Sequence, residues 1–318
     1  MQQQMDGVPR MSRIDEVTAD ARMLARRAEI VRAVRRFFDE QGFVEVETAV
    51  RIAAPAPEEH IDCPVVADGA TARGGTPPRI EGGRGVSFLR ASPELQMKKL
   101  LASGMERIYQ IGPCFREGER GSRHSQEFTM LEWYRRGATY LDIKADTERL
   151  VRGLAGRDVA FRELYVRDAY LKFAGWDPWA LWNQDRFDFD MATRIEPAIR
   201  EIGGCVFLMD YPVEAASLAR VSEDPSGAAR AERWELYWDG LELANCFTEL
   251  CDSEEQSRRF ALAAANRRAT GESEYPLDQG FLDSLPAIGA ASGVALGVDR
   301  LVMVLTGTKE ISAVRTKI

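Results

Sequence analysis

The 318-residue chain is poor in the residues that mark several common classes of protein. It has only two histidines, His60 and His124, too few for a His-rich metal site. Its five cysteines, at 63, 114, 205, 246 and 251, form no CxxC pair and are odd in number, which argues against a disulfide framework and fits a reducing cytoplasm. No apolar run approaches the ~20 residues that cross a bilayer, so no membrane partner is expected. The N-terminus, MQQQMDGVPRMSRIDEVTAD, has neither a secretory apolar core nor an acid-free Arg-rich presequence. G-x-x-x-x-G-K-[ST] is missing, as is G-x-G-x-x-G after a strand, which disfavours P-loop and Rossmann readings. Lysine is scarce: six of the 42 basic residues, leaving 36 arginines. Arginine is the better residue for two-pronged recognition of phosphate and carboxylate, although genomic base composition gives the same excess. A net charge of −8 with no basic tail excludes a general nucleic-acid binder.

What is present reads as hairpins with helices between them. Val17, Ala21, Leu24, Ala28, Val31 and Phe38 recur at helical spacing over 12–41, and Gly42 stops the helix. Residues 1–19 are expected to be flexible, and 67–85, rich in Gly and Pro, to form a long loop within one domain spanning 20–318. FVEVET and VSFLRAS predict strands. Ser92 and Pro93 predict the N-cap and first position of a helix PELQMKKLLASG. RIYQIGPCFR and EFTMLEWYRR flank a charged loop as a long hairpin. Helices are expected at 140–155, 161–174 and 190–202, and a strand at CVFLMDYP. Asp239-Gly240 joins two strands in RWELYWDGLELANCFTEL. Ser253 with Gln256 predicts a capping box. SGVALGVD is a strand running into the helix RLVMVLTG. The class is α+β, with a mostly antiparallel sheet.

The loop FREGERGSRHSQEF mixes arginine and glutamate between two strands. A solvated hairpin tip would do so, and so would a polyphosphate cradle. Arg116 stands at one strand end and Arg300 at another, where two guanidiniums clamp phosphate oxygens well. Gly293 and Gly297 allow close approach of a flat ligand or mark tight packing. Glu242 and Glu249 are seven apart and face opposite ways on a regular strand, so a bulge or bend at Ala244-Asn245 is required before both reach one Mg²⁺. Taken singly, a strand-end Arg is an ion pair, the glutamates are solvent-facing, Trp133 and Tyr134 are core, and His124 is a loop residue bonding locally.

Their order resembles that of class II aminoacyl-tRNA synthetases. FREGERGSRHSQEFTMLEWYR is similar to motif 2, GVALGVDRLVMVL to motif 3 and FFDEQGFVEVETA to motif 1. ASPELQMKKLL and ELANCFTEL resemble the lysyl-tRNA synthetase branch. The start of the chain close to motif 1, Trp133, and Ala295 in place of a usual glycine resemble the truncated paralogues that attach (R)-β-lysine to translation elongation factor P. The resemblance implies an antiparallel sheet flanked by helices, no anticodon-binding domain, ATP and Mg²⁺ as cofactors, elongation factor P as protein acceptor, no stable nucleic-acid partner, a homodimer and a cytoplasmic location. It implies catalytic roles for Arg116, Arg300, Glu242 and Glu249, the two glutamates also serving Mg²⁺. ATP contacts are implied for Arg116, Glu117, Gly118, Glu119, Ser125, Phe128, Glu242, Leu243, Gly297 and Arg300. Ser92, Pro93, Glu94, Tyr134, Asn245, Glu249 and Ala295 fall on substrate positions, with Glu94 and Glu249 facing the lysine ammonium groups. Glu119 stands one place later than the family's adenine-contacting acid, HSQEF replaces HNPEF, and Ala49 replaces a motif 1 proline. A lysyl-tRNA synthetase without its anticodon domain and a non-catalytic regulatory relative are the alternatives.

Overall fold

The computed structural model describes residues 20–59, 61–67, 86–224 and 226–316, so the expectations for 1–19 and for nearly all of the 67–85 loop lie outside the described residues. Helix α1 (Ala21–Glu40) buries Ile30, Val34 and Phe38 at helical spacing. Asp20 caps it through a bond from the Arg22 amide, and Gly42 ends it at a φ of 74°. Phe38 stacks on Tyr109 with centroids 4.6 Å apart, which seats α1 on the sheet.

The chain continues through β1 (Val44–Glu45), β2 (Arg51–Ile52), β3 (Val65–Ala67), β4 (Val86–Leu89), α2 (Glu94–Ala102), β5 (Arg107–Phe115), β6 (Glu127–Arg136) and α3 (Tyr140–Ala155). There follow β7 (Phe161–Tyr165), α4 (Val166–Ala169), α5 (Gln184–Asp190), α6 (Glu196–Ile202), β8 (Cys205–Tyr211), β9 (Val221–Glu223), β10 (Ala229–Trp238) and β11 (Leu241–Thr248). Helices α7 (Ser253–Ala269) and α8 (Gln279–Ile288), strand β12 (Ala291–Gly297) and helix α9 (Val298–Thr306) complete it.

Among the described residues, nine strands form one sheet in the order β1-β5-β6-β12-β11-β10-β8-β7, with β9 on β10. Pairing is antiparallel except at β1/β5 and β7/β8. Helices flank this sheet, and the fold is α+β. The helix expected at 161–174 begins instead with β7, whose parallel pairing to β8 overrides local propensity. Helix α2 starts one residue later than expected, with Pro93 at the cap position, while Ser92 Oγ still accepts from the Glu94 amide at 2.9 Å. The expected Ser253/Gln256 capping box is not formed. Asp252 is the cap, accepting from the amides of Glu254 and Glu255. All five cysteines are unbridged. No helix of the described residues is long and apolar enough to cross a membrane.

Register sorts the two faces of the sheet. Trp133, Leu131, Val294, Leu296, Cys246, Ala244, Trp234 and Leu236 lie in one buried cluster with residues of α1, α3 and α9. The alternate residues form rows across the other face. Tyr134, Gly293, Phe247 and Arg233 stand opposite one another, as do Glu132, Ala295, Asn245 and Glu235. The second row puts three polar side chains around one alanine.

Candidate active site

This polar face is the floor of a cavity of about 430 Å³. Arg116, the first residue after β5, and Arg300, in the first turn of α9, both line it. The strand expected to end at Arg300 ends three residues earlier, at Gly297. The Arg116 guanidinium lies 5.2 Å from the Phe128 ring centroid and 3.4 Å from Glu119 Oε1. Arg300 is held more firmly. Its Nη1 donates to the Glu242 carbonyl at 2.9 Å and to Glu242 Oε2 at 3.2 Å, and its Nη2 lies 2.7 Å from His124 Nε2. The backbone of His124 bonds locally to Gly121, as expected, while its side chain reaches Arg300, 176 residues on. Burial and the Arg300 charge lower its pKa, which favours the neutral ring that accepts from a guanidinium.

Glu242 reaches the cavity through a bulge. Leu236 pairs with Ala244 but Tyr237 pairs with Glu242, so Leu243 is the extra residue. The expected kink thus occurs one residue earlier than Ala244-Asn245. It turns Glu242 to the side of Asn245 and Phe247 and leaves Leu243 buried, though still in the cavity wall. Burial and then Glu235 raise the Glu242 pKa, while Arg300 and Arg116 pull it down.

The kink does not bring Glu249 with it. Glu249 lies past β11, 3% exposed, absent from the cavity wall, and ion-paired to Lys98. Lys98 is 1% exposed and also lies 2.5 Å from Glu94 Oε1. The two acids expected to face a substrate ammonium already share the protein's own lysine. Burial disfavours the Lys98 ammonium, but Glu249 and Glu94 outweigh it and raise its pKa. Sealed against Lys98 and absent from the cavity wall, Glu249 is not placed to share a Mg²⁺ with Glu242. Glu242 alone of the pair faces the cavity, which suits an ion held mainly by phosphate oxygens.

Of the other expected residues, Ser92, Glu94, Glu119, Ser125, Phe128, Tyr134, Asn245, Ala295 and Gly297 line the cavity, whereas Glu117, Gly118 and Pro93 do not. Ser125 Oγ accepts from Arg315 at 3.0 Å. A Cβ on Gly293 would lie 2.1 Å from the Tyr134 ring, so tight packing requires this glycine, which also lines the cavity.

Among the wall residues that the sequence reading did not single out are three that are ionisable and well fixed. Glu132 is 1% exposed and accepts from Ser92 Oγ at 3.0 Å and Tyr134 Oη at 2.5 Å. Burial and then Glu94 push its pKa up to about 8. Arg233 donates to Asn245 Oδ1 at 3.2 Å and pairs with Glu235 at 2.5 Å, which fixes the amide. Glu58 comes from the segment before β3, whose backbone is tied to α7 by a 2.9 Å bond from Arg267 to the Glu58 carbonyl. Alternation marked Glu132 as one of several strand positions, but its burial depends on α2, far off in sequence.

Residues 12–316 match the family model described as tRNA synthetases class II (D, K and N). The chain belongs to that family. Similar relatives of this synthetase bear the name elongation factor P–(R)-β-lysine ligase. That of Proteus mirabilis is 34% identical, with 92% of this chain and 93% of the relative covered. Those of Yersinia enterocolitica and Histophilus somni are each 33% identical, covering 92% and 93% of this chain and 93% and 95% of theirs. The synthetase thus has an arginine end, near the loop that follows β5, and a carboxylate end around Glu132 and Glu94 on the same sheet face.

Proposed function

We propose that this synthetase activates (R)-β-lysine with ATP and transfers it to the ε-amino group of a lysine on translation elongation factor P. The observation that carries the reading is the polarity of the cavity: cationic where a triphosphate would lie, anionic where a lysine-like ammonium would lie. Glu94 and Glu249 share the one ammonium of Lys98, so one negative charge is left over for a second ammonium, and Glu132 nearby can give up its proton to strengthen that site. The names borne by relatives over more than nine-tenths of both lengths supply the identity of the amino acid and the acceptor.

In this reading the amino-acid carboxylate attacks the α-phosphorus. The bond to the bridging oxygen breaks and pyrophosphate leaves with the electron pair. Arg116 offsets charge on the α-phosphate and the attacking carboxylate, and Arg300 holds the γ-phosphate end. Phe128, Glu119 and Ser125 receive the nucleotide beside them. Ser92, Glu94, Tyr134 and Asn245 orient the amino acid, and the Ala295 methyl narrows the floor beneath its backbone. Mg²⁺, arriving with ATP, would be held by Glu242 and phosphate oxygens and would neutralise phosphate charge. A neutral lysine ε-amine of the acceptor then attacks the acyl carbon, the bond to AMP oxygen breaks, and the amine proton passes to a carboxylate or to the leaving phosphate. The enzyme acts by positioning and charge, without a covalent enzyme intermediate. A single catalytic domain, a homodimer and a cytoplasmic location belong to the same reading.

ATP–pyrophosphate exchange tests the first step. Exchange that responds much more strongly to (R)-β-lysine than to α-lysine supports the reading, and an equal or reversed response overturns it.

A further inference from the structure

Beside the first cavity lies a larger one of about 1100 Å³. Glu58, Glu94, Glu235, Glu242 and Phe247 stand in the walls of both, so the two communicate. The first cavity alone is in the usual size range for small-molecule sites, ~300–1,000 Å³. The second volume is therefore free for a different occupant.

Its wall is acidic in excess. The arginines in it are engaged, Arg220 with Glu232, Arg233 with Glu235 and Arg259 with Glu255. Glu58 and Glu196 make no ion pair with another described residue, and both have pKa values raised by burial first and by neighbouring glutamates second. The wall also holds Gln256 of α7. This residue is 1% exposed, yet neither its amide nitrogen nor its amide oxygen has a hydrogen-bond partner. A buried amide left this way has lost its water without a replacement, which is unfavourable unless a ligand completes it. Asp252 has taken the capping role that Gln256 would have shared, which leaves the amide free. One donor and one acceptor side by side match a peptide backbone. Val213 and Leu262, both exposed, give this cavity an apolar margin of the kind proteins dock against.

We infer that the second cavity is the port through which the acceptor protein presents its lysine: it takes up a basic, lysine-bearing loop, pairs the loop backbone with the Gln256 amide and leads the side chain past Glu58 to the adenylate. The inference rests on the protein-lysine reading of the neighbouring site.

The test uses the full chain with two variants, Glu214→Lys combined with Leu262→Asp at the exposed mouth, and Gln256→Leu in the wall. Each is assayed for ATP–pyrophosphate exchange with (R)-β-lysine, and for transfer to elongation factor P followed by intact mass over a range of acceptor concentrations. The port predicts unchanged exchange and a KM for the acceptor raised by about tenfold, the scale of one lost interface contact. An unchanged acceptor KM in the mouth variant overturns the port while leaving the activity standing, and it does so even if Gln256→Leu fails to fold. Wild-type protein that exchanges β-lysine but leaves elongation factor P unmodified overturns both. Transfer to tRNA that weakens in the mouth variant assigns the cavity to nucleic acid and overturns the port.

Discussion

Lys98 Nζ lies 2.5 Å from Glu94 Oε1, and the lysine is almost fully buried. Its other carboxylate partner is the equally buried Glu249. Removing the cation strands two acids in a site that cannot hydrate them. Lys98→Met is expected to destabilise the fold by about 3–5 kcal/mol, the usual result of breaking one side of a buried pair. Lys98→Met with Glu249→Gln should recover much of that loss. Urea denaturation of wild type and the two variants measures it, and a single mutant as stable as wild type would show that the pair is not needed for folding.

Glu132 gives stability a pH dependence of a definite sign. Burial and Glu94 hold its folded pKa near 8, above its ordinary value of 4.5. The folded state therefore binds the proton more tightly than the unfolded chain. Its contribution is full below pH ~4.5 and is lost as pH rises through about 8, at no more than about 1.4 kcal/mol per pH unit. Glu132→Gln should flatten the fall of Tm between about pH 5 and 8. A fall as steep as that of wild type would assign the dependence to another group.

Arg300 is fixed by Glu242 and His124, whereas among the described residues the Arg116 guanidinium has the 3.4 Å contact to Glu119 and the Phe128 ring. Alanine at either position should lower pyrophosphate exchange by about 100- to 1000-fold, the scale of one lost charge-stabilising donor. Thermal stability should change little in Arg116→Ala and more in Arg300→Ala, which also frees Glu242 and His124. Equal exchange in wild type and Arg116→Ala would remove this arginine from the chemistry.

Ala295 faces Glu132 on one side and Asn245 on the other, in the middle of the cavity floor. Ala295→Gly removes a methyl group from the floor on which the proposed function places the amino-acid backbone. Discrimination by one methyl is worth about 1–3 kcal/mol, so the ratio of exchange with β-lysine to that with α-lysine should fall by about 10- to 200-fold. An unchanged ratio would place isomer selection elsewhere.

Much of this was legible in the chain itself, because local signals and register agreed. The Asp239-Gly240 turn, with φ of 49° and 75°, joins β10 and β11 as its residues predict. The long hairpin around Arg116 follows from alternation. A kink near Ala244 was expected on the premise that Glu242 and Glu249 share one site; the bulge lies at Leu243, fixed by pairing to β10, and the premise fails because Glu249 pairs with Lys98 instead. Distance in sequence hid the rest. Lys98 read as one polar position of a helix, and nothing local says that Glu249 lies against it. Gly293 read equally well as ligand approach or close packing until the Tyr134 ring was seen over it. Phe161–Tyr165 read as helix because the partner that makes it a strand lies some forty residues on. Ser253 with Gln256 read as a capping box, but Asp252, one residue before Ser253, accepts from the Glu254 and Glu255 amides and is the cap.

The most direct test of the account is the intact mass of elongation factor P after incubation with the synthetase, ATP and each lysine isomer in turn. The account predicts a gain of one lysyl residue on a single acceptor lysine with (R)-β-lysine and little with α-lysine. An unmodified factor, together with an acid-labile lysyl ester on tRNA, would contradict it.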